Sequence, residues 1–315
     1  MSFTSFLLDD HYLVPDAVAI PFGLRNKTRL SDREHATLFD ILGDKPPQRK
    51  TTANLSKFAR AYLAKLGIKD PDADEKTAGL IWMHTLAIGY SPAYLSENAD
   101  GIRRDWPRVP LPDSRKALEA SAALGEQVAA LLDTEADVPG ITSGKIGPLL
   151  KTIAVPSKVG GGGLDANMGD LAMTAGWGHR GKGGVVMPAK GRAAERTYRA
   201  DENEALAAEA KARGLSAAEA RQMLGERTLD VYWNEVAYWR NIPLNVWGFY
   251  IGGYQVIKKW LSYRENEILG RALNPEEVRE VMNMARRIAA IILLQPSLDE
   301  NYRAVKASAF LAGND

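Results

Sequence analysis

Cysteine is absent from this 315-residue sequence, which excludes disulfides, thiolate metal sites and cysteine nucleophiles. Long apolar runs are absent too, because the longest strongly apolar stretch, IAAIILL at 288–294, is far too short to cross a bilayer. The first residues, MSFTSFLLDD, lack the basic end and the apolar run of a signal peptide. We therefore expect a cytoplasmic protein without a membrane partner.

Motifs of the common nucleotide-dependent and DNA-modifying enzymes are incomplete. Gly176, Gly181 and Lys182 have the spacing of a phosphate-binding loop, but Gly183 follows where Ser or Thr would hold magnesium. The tetrapeptide KPPQ at 45–48 lacks the acceptor and the aromatic ring of an amino-group methyltransferase motif. The pattern G-x-S-x-G is absent, and the histidines are not at metal-ligand spacing. We expect no catalytic residue and no metal site in this chain.

The net charge is only +1, but the basic residues are unevenly distributed. Between residues 145 and 199, nine basic residues are opposed by three acidic ones, and twelve glycines occur in the same stretch. A local basic surface attracts a polyanion more effectively than the total charge indicates. A solvated, glycine-rich loop region explains the same pattern, and charge alone favours that second interpretation.

Helical and β-type patterns succeed one another along the chain. Helical periodicity dominates the first part, at residues 31–42, 54–66, 73–89, 94–102 and 114–132. Short β-type runs separated by glycine follow, and a polar helical insert at about 201–224 interrupts them. Near the end, Asn274 and Pro275 begin a helix that Pro296 is expected to end, before a final helix at 298–310.

These patterns predict an α+β protein with a helical N-terminal layer, a central glycine-rich β section and a helical C-terminal layer. We divide the chain into a mostly helical region, residues 1–135, and an α+β region, residues 136–315. We expect the two regions to pack as one module.

The segment GWGHRGKGG at 176–184 combines glycines, an aromatic ring and positive charge. Glycine lets the backbone approach a phosphate closely. Arg180 has the planar fork that reads N7 and O6 of guanine in a major groove, whereas Lys182 suits a phosphate. In this interpretation Trp177 and His179 enter or border the same groove, although a core position also fits Trp177.

A second cluster, IGGYQVIKKWLSYRE at 251–265, places lysines after a glycine pair. The pair is expected to open a helix with Tyr254 and Gln255 in its first turn, where a helix directed at DNA makes its contacts. A second grip on the DNA would consist of Lys258, Lys259 and Arg264. Further predicted phosphate contacts are Lys145, Lys151, Lys190 and Arg192. A surface lysine pair over a packed helix is the alternative.

Several blocks of the chain carry a family resemblance: HTLAIGYSPAYLSENADGIRRDWPRVPLP, TAGWGHRGKGGVVMP, LDVYWNEVAYWRNIPLNVW and GYQVIKKWLSYRE. They resemble the C-terminal specificity region of type ISP restriction-modification enzymes, and that of related adenine-specific DNA methyltransferases of phage-defence loci, including DISARM-like systems. The resemblance covers most of residues 75–310. It implies a region that reads an asymmetric duplex site for a methyltransferase core, which binds S-adenosylmethionine and methylates adenine N6. Some members add a nuclease and an ATP-driven motor.

The leading hypothesis is therefore a module that recognises double-stranded DNA, without a cofactor of its own, for a methyltransferase core in cis or in trans. One alternative is a docking subunit of such a complex that makes little contact with DNA. Another is a divergent methyltransferase or nuclease, for which binding of S-adenosylmethionine by this chain would be evidence.

Overall fold

The computed structural model describes residues 23–25 and 51–310. These residues form two compact units, one of residues 23–25, 51–128 and 297–310, and one of residues 129–296. The border after residue 128 lies close to the boundary predicted at 135, while residues 297–310 belong with the earlier unit. The helix predicted over 31–42 lies outside the described residues. Within the described ranges, no helix has the length and apolarity needed to cross a membrane.

The first unit contains one strand pair and a series of helices. Strand β1 (Gly23–Arg25) pairs antiparallel with β2 (Thr51–Ala53). The helices are α1 (Lys57–Lys65), α2 (Glu75–Gly89), α3 (Pro92–Glu97), α4 (Ala99–Arg104) and α5 (Arg115–Leu132), whose end lies in the second unit. Ser56 and Asp74 cap α1 and α2 with their side-chain oxygens. The longer helices confirm the predicted periodicity, whereas the helix predicted near 94–102 consists of α3 and α4.

Helices α2 and α5 pack closely against each other. A Cβ atom on Gly125 would lie 1.8 Å from the carbonyl oxygen of Met83, so only glycine fits there. His84 is fully buried, with Nδ1 2.7 Å from Ser121 Oγ and Nε2 2.9 Å from the Pro110 carbonyl oxygen. Burial lowers the pKa of His84 to about 4. The ring is therefore neutral at pH 7, and it donates from Nε2 because a carbonyl can only accept.

The second unit is built around an antiparallel sheet. The strands of the second unit are β3 (Val155–Lys158), β4 (Gly178–Arg180), β5 (Val186–Pro188), β6 (Arg192–Arg196), β7 (Thr228–Tyr232), β8 (Ala237–Pro243), β9 (Tyr250–Ile251) and β10 (Tyr254–Gln255). The order in the sheet is β3–β8–β7–β6, and all neighbours are antiparallel. Strands β4 and β5 pair separately, as do β9 and β10.

Helices complete this unit, and their combination with the antiparallel sheet confirms the α+β class. They are α6 (Pro148–Thr152), α7 (Ala200–Ala212), α8 (Ala217–Leu224), α9 (Leu244–Trp247), α10 (Val256–Ser262), α11 (Asn266–Leu269) and α12 (Pro275–Ala307), which continues into the first unit. The predicted polar insert corresponds to α7 and α8. Asn274 and Glu277 form a capping box at the predicted start of α12, since each side chain accepts the other's backbone N–H.

The core of the second unit lies between the sheet and α12. Val231 and Trp239 are fully buried on the covered face of β7 and β8. Trp239 Nε1 donates to the carbonyl of Val278 on α12 at 3.0 Å. Because Val281 and Ala285 are buried on the same helix, the apolar face of α12 is the one that covers the sheet.

Two sequence-based predictions need correction here, and one strand has no counterpart in the sequence analysis. Helix α12 continues through Pro296 to Ala307, so the proline removes one backbone donor without ending the helix. In VWGFYIGG at 246–253, predicted as one strand, only Tyr250–Ile251 is extended, and Trp247 ends α9. The strand β8 was not predicted. It follows a tight turn in which Asn234 accepts two backbone N–H groups, and its middle carries charged and polar side chains.

Candidate nucleic-acid interface

The segment GWGHRGKGG folds as one arm of a two-stranded antiparallel ribbon. We call the hairpin of β4 and β5, residues 178–188, the ribbon. Its paired residues are Gly178 and Pro188, His179 and Met187, and Arg180 and Val186. The tip is a short 3-10 turn at Lys182–Gly184. Both glycines of this turn have positive φ, 77° and 81°, which side chains other than glycine rarely adopt. The glycines therefore shape a hairpin rather than a phosphate-binding loop.

One face of the ribbon rests on α10. A Cβ atom on Gly178 would lie 1.9 Å from the carbonyl oxygen of Ser262, the last residue of α10. Both strands of the ribbon contact α10, and β4 also contacts α11. The absence of a side chain at Gly178 thus lets two backbones touch, which fixes the ribbon against the helix.

Glu265, three residues after Ser262, binds the backbone just before the ribbon. Its carboxylate is buried, and it accepts hydrogen bonds from the backbone N–H groups of Trp177 and Gly176. Burial raises the pKa of Glu265 despite these two donors. The sequence did not predict this contact, because it joins positions 88 residues apart and no local sequence pattern indicates it.

The structure corrects the predicted role of Trp177. The side chain is 1% exposed. Its Nε1 donates to the carbonyl of Tyr232 at 2.6 Å, and its ring packs edge-on against Trp247. Trp177 is a core residue below the ribbon and cannot contact a groove while the unit is folded.

The outward face of the ribbon presents His179 and Met187. Cross-strand partners project from the same face of a sheet. Gly178 marks the face on α10, and Arg180 lies two residues further along that strand, so His179 and Met187 share the opposite face. Both are exposed. Met187 was not among the predicted contacts, although its position opposite His179 follows once the hairpin is known.

Arg180 remains exposed, but it projects from the face of the ribbon that turns towards α10 and α11. Its Nη2 lies 3.5 Å from the carbonyl oxygen of Ile268, at the outer limit of a hydrogen bond. This contact is therefore weak. Lys182 is exposed at the tip.

The second predicted cluster folds differently from the expectation. Gly252 and Gly253 have φ of 57° and 82°, values that suit a two-residue hairpin turn. Tyr254 and Gln255 consequently form strand β10 instead of the first turn of a helix, and α10 begins at Val256. Gln255 Nε2 also donates to the carbonyl of Trp247 at 2.6 Å, so its side chain serves the fold.

Lys259 lies between two exposed tyrosine rings. Its Nζ is 4.7 Å from the ring centroid of Tyr254 and 4.7 Å from that of Tyr263. Both contacts are cation–π contacts, which limit the rotamers of this half-buried lysine. The neighbouring Lys258 is half-buried, and Tyr250 is exposed on strand β9. Because α10 contacts both the ribbon and β10, this cluster and the ribbon share one supporting helix.

Arg264 does not fit the predicted second grip. Its guanidinium lies 4.2 Å from the centroid of the Trp260 ring, and its Nε is 3.8 Å from a carboxylate oxygen of Glu277. The side chain therefore joins α10 to the start of α12. We remove it from the candidate phosphate contacts.

The remaining predicted cations fall into separate groups. Lys190 is exposed just after the ribbon, and the exposed Arg192 lies 4.4 Å from the ring of Tyr232 at the sheet edge. Lys145 and Lys151 are exposed as well, but they belong to the segment of α6, which packs against α7. The ribbon instead packs against α10 and α11, so the structure does not place Lys145 and Lys151 on the elements that support it.

Part of the basic segment is neutralised inside the unit. Lys158 Nζ lies 2.5 Å from Asp170, and the ammonium together with a backbone N–H holds the pKa of Asp170 below its usual range. Arg196 pairs with Glu202 at 2.7 Å and with Asp230 at 2.9 Å. Among the described residues, Arg180, Lys182, Lys190 and Arg192, which lie in or just after the ribbon, have no ion-pair partner.

Comparison with known proteins identifies the family. The sequence model of the type ISP C-terminal specificity domain matches residues 1–289. No curated protein and no solved structure gives a significant match. The match includes the ribbon, the sheet and α12 as far as residue 289, and it indicates a target-recognition role within a restriction-modification enzyme. The chain therefore belongs to the family of type ISP C-terminal specificity domains.

Proposed function

We propose that this chain recognises a specific sequence in double-stranded DNA, and that its ribbon enters the major groove. The observation that carries the proposal is the ribbon itself. It is a two-stranded antiparallel hairpin with one face fixed on α10 and the other face exposed. The major groove, about 12 Å wide, admits such a ribbon. Its exposed face would then meet the base edges.

The cations near the ribbon support this orientation. Lys182 at the tip would contact phosphates, as would Lys190 and Arg192 beyond strand β5, since all three are exposed. Lys259 on α10, held between two tyrosine rings, would contact the DNA backbone from beside the ribbon. Phosphate contacts fix the register of a protein on the duplex, and base contacts select the sequence. His179, on the exposed face, is the first base-reading candidate. Arg180 projects from the opposite face and would reach past the edge of the ribbon to a neighbouring base, since its contact with Ile268 is long.

The family points to the wider enzyme. We propose that the DNA is presented to an adenine N6-methyltransferase core, in the same chain or in a partner, which binds S-adenosylmethionine in the cytoplasm. A nuclease and an ATP-driven motor would complete a restriction or phage-defence system. In this arrangement the present chain supplies the sequence selection and holds no cofactor.

The proposal is tested by selection from a randomised duplex pool at two salt concentrations, followed by sequencing of the bound fraction. We expect an enriched asymmetric motif. Lys182→Ala is expected to weaken binding to all sequences alike. It should also reduce the slope of log K against log salt by about 1, the contribution of one phosphate contact. Lys211→Ala, which removes an exposed lysine on α7, is the control and should change neither. Absence of DNA binding at low salt would favour the docking-subunit alternative.

A further inference from the structure

Two large apolar side chains are exposed on the ribbon among the cations. Met187 is 48% exposed and Val185 is 61% exposed. Met187 lies directly opposite His179 on the outward face. Scattered exposed apolar residues are common on proteins and need no explanation. Here, however, the methionine occupies the centre of the face that would meet base edges, so its chemistry bears on what the ribbon selects.

The side chain of Met187 lies close to the backbone of Gly181. Gly181 has an extended backbone with φ −81°, a conformation open to any residue, so its backbone does not require glycine. A Cβ atom there would lie 3.3 Å from Met187 Cγ, a tight contact that the methionine would have to relieve by a shift of a few tenths of an ångström. The backbone of Gly181 is held by a hydrogen bond from its N–H to the Val185 carbonyl at 2.8 Å. Met187 thus lies over Gly181 along the outward face.

The major groove offers this side chain one chemically matched partner. Base edges there present hydrogen-bond donors and acceptors, and the only apolar group is the C5-methyl of thymine. A thioether is at best a weak acceptor, so Met187 gains little from the polar edges. The methyl group, in contrast, can be buried against the methionine with loss of water from both surfaces.

We propose that Met187 is a specificity-determining residue that contacts a thymine C5-methyl group, next to the base contacted by His179. This inference rests on the proposed insertion of the ribbon into the major groove. It implies that the recognised sequence contains at least one thymine whose methyl group, rather than its pairing edge, is selected.

The test uses duplexes that carry the selected site, with each thymine replaced singly by deoxyuridine, which removes only the methyl group. For the unmodified chain we expect one such replacement to weaken binding about four-fold, the effect of losing one buried methyl-sized group. Met187→Ala should weaken binding to the thymine duplex by at least the same factor and should no longer distinguish deoxyuridine from thymine at that position. Met168→Ala, at a methionine that is 76% exposed outside the ribbon, is the matched control.

A second variant keeps the methionine and changes only the position of its side chain. Gly181→Ala places a methyl group against Met187 Cγ, so we expect a reduced distinction between thymine and deoxyuridine at the same position. Failure of the unmodified chain to bind DNA would contradict the proposed function itself. Sequence-specific binding that responds equally to deoxyuridine in the unmodified chain and in Met187→Ala would overturn only the role of Met187. A selected site without thymine would overturn it too, as would uniform weakening by Met187→Ala without any effect of deoxyuridine.

Discussion

Glu265 shows, at the residue scale, how one buried carboxylate positions the ribbon. Replacing Glu265 by Ala leaves the N–H groups of Gly176 and Trp177 without their acceptor, and a buried unsatisfied donor costs about 1–3 kcal/mol. We expect a lower free energy of unfolding and faster hydrogen exchange at these two amides. Glu267→Ala, at an exposed residue of α11, is the control. Unchanged exchange at residues 176 and 177 would contradict the assigned contact.

His84 gives a prediction of pH dependence. Burial lowers its folded-state pKa to about 4, below the ordinary value of 6.5. The unfolded chain therefore binds a proton at a higher pH than the folded chain. The stabilisation from neutral His84 is fully present above about pH 6.5 and is lost as the pH falls towards 4, by about 3 kcal/mol in all.

This pH dependence can be measured by NMR titration of the His84 ring together with denaturant unfolding between pH 4 and 7. The account predicts a ring that stays neutral to about pH 4 and stability that declines over the same range. Titration of His84 near pH 6.5 would show that the ring is not confined between Ser121 and Pro110 as described.

Two glycines in neighbouring helices test the packing at the element scale. Gly125 on α5 touches the backbone of α2, whereas a Cβ atom on Gly79 would meet nothing within 4 Å. Gly125→Ala is expected to destabilise the first unit by about 1–3 kcal/mol through overpacking. Gly79→Ala is expected to stabilise it by about 0.5–1 kcal/mol, because alanine restricts the unfolded chain and favours helix. Denaturant unfolding measures both, and equal effects of the two changes would contradict this packing.

The contact between the ribbon and α10 depends on Gly178 in the same way. Gly178→Ala places a methyl group 1.9 Å from the Ser262 carbonyl oxygen, so the ribbon must move away from the helix. We expect loss of sequence-specific binding while the circular dichroism spectrum keeps its native form. Gly163→Ala, where a Cβ atom has no neighbour within 4 Å, serves as the control. Native specificity in the Gly178 variant would show that the ribbon position does not matter.

The elements differ in how far the sequence could predict them. The helix start at Asn274 and the helical periodicity of α5 are local patterns, and the structure confirms both. The path of α12 through Pro296 was not predictable from local rules, since packing along a long helix outweighs the loss of one backbone bond. Tyr254 and Gln255 were assigned to a helix because the glycine pair before them was interpreted as a helix start instead of a hairpin turn.

The sequence predicted only part of the candidate site, because the rest depends on contacts between distant residues. The sequence marked GWGHRGKGG as a basic surface, and the structure leaves His179, Arg180 and Lys182 exposed there. It could not show which residues share a face, because that depends on the strand register. Met187 was missed for this reason, and Trp177 was wrongly placed on the surface because its burial depends on contacts with distant strands.

At the scale of the whole molecule, the charge distribution matters more than its sum. The net charge of +1 does not mark a nucleic-acid-binding protein. Within the basic segment, Lys158 and Arg196 are neutralised by buried carboxylates, while the cations of the ribbon remain exposed. The fold thereby concentrates exposed positive charge on and beside the ribbon, as expected for a domain that selects a target within a larger enzyme.

The measurement that tests this account most directly is a comparison of selected DNA motifs. The unmodified chain and the double variant His179→Ala, Arg180→Ala would be selected on the same randomised duplex pool and sequenced to the same depth. The account predicts an asymmetric motif for the unmodified chain, and loss of preference at adjacent positions in the variant, with preferences elsewhere retained. An identical motif from both proteins would contradict the central claim that the ribbon reads the sequence.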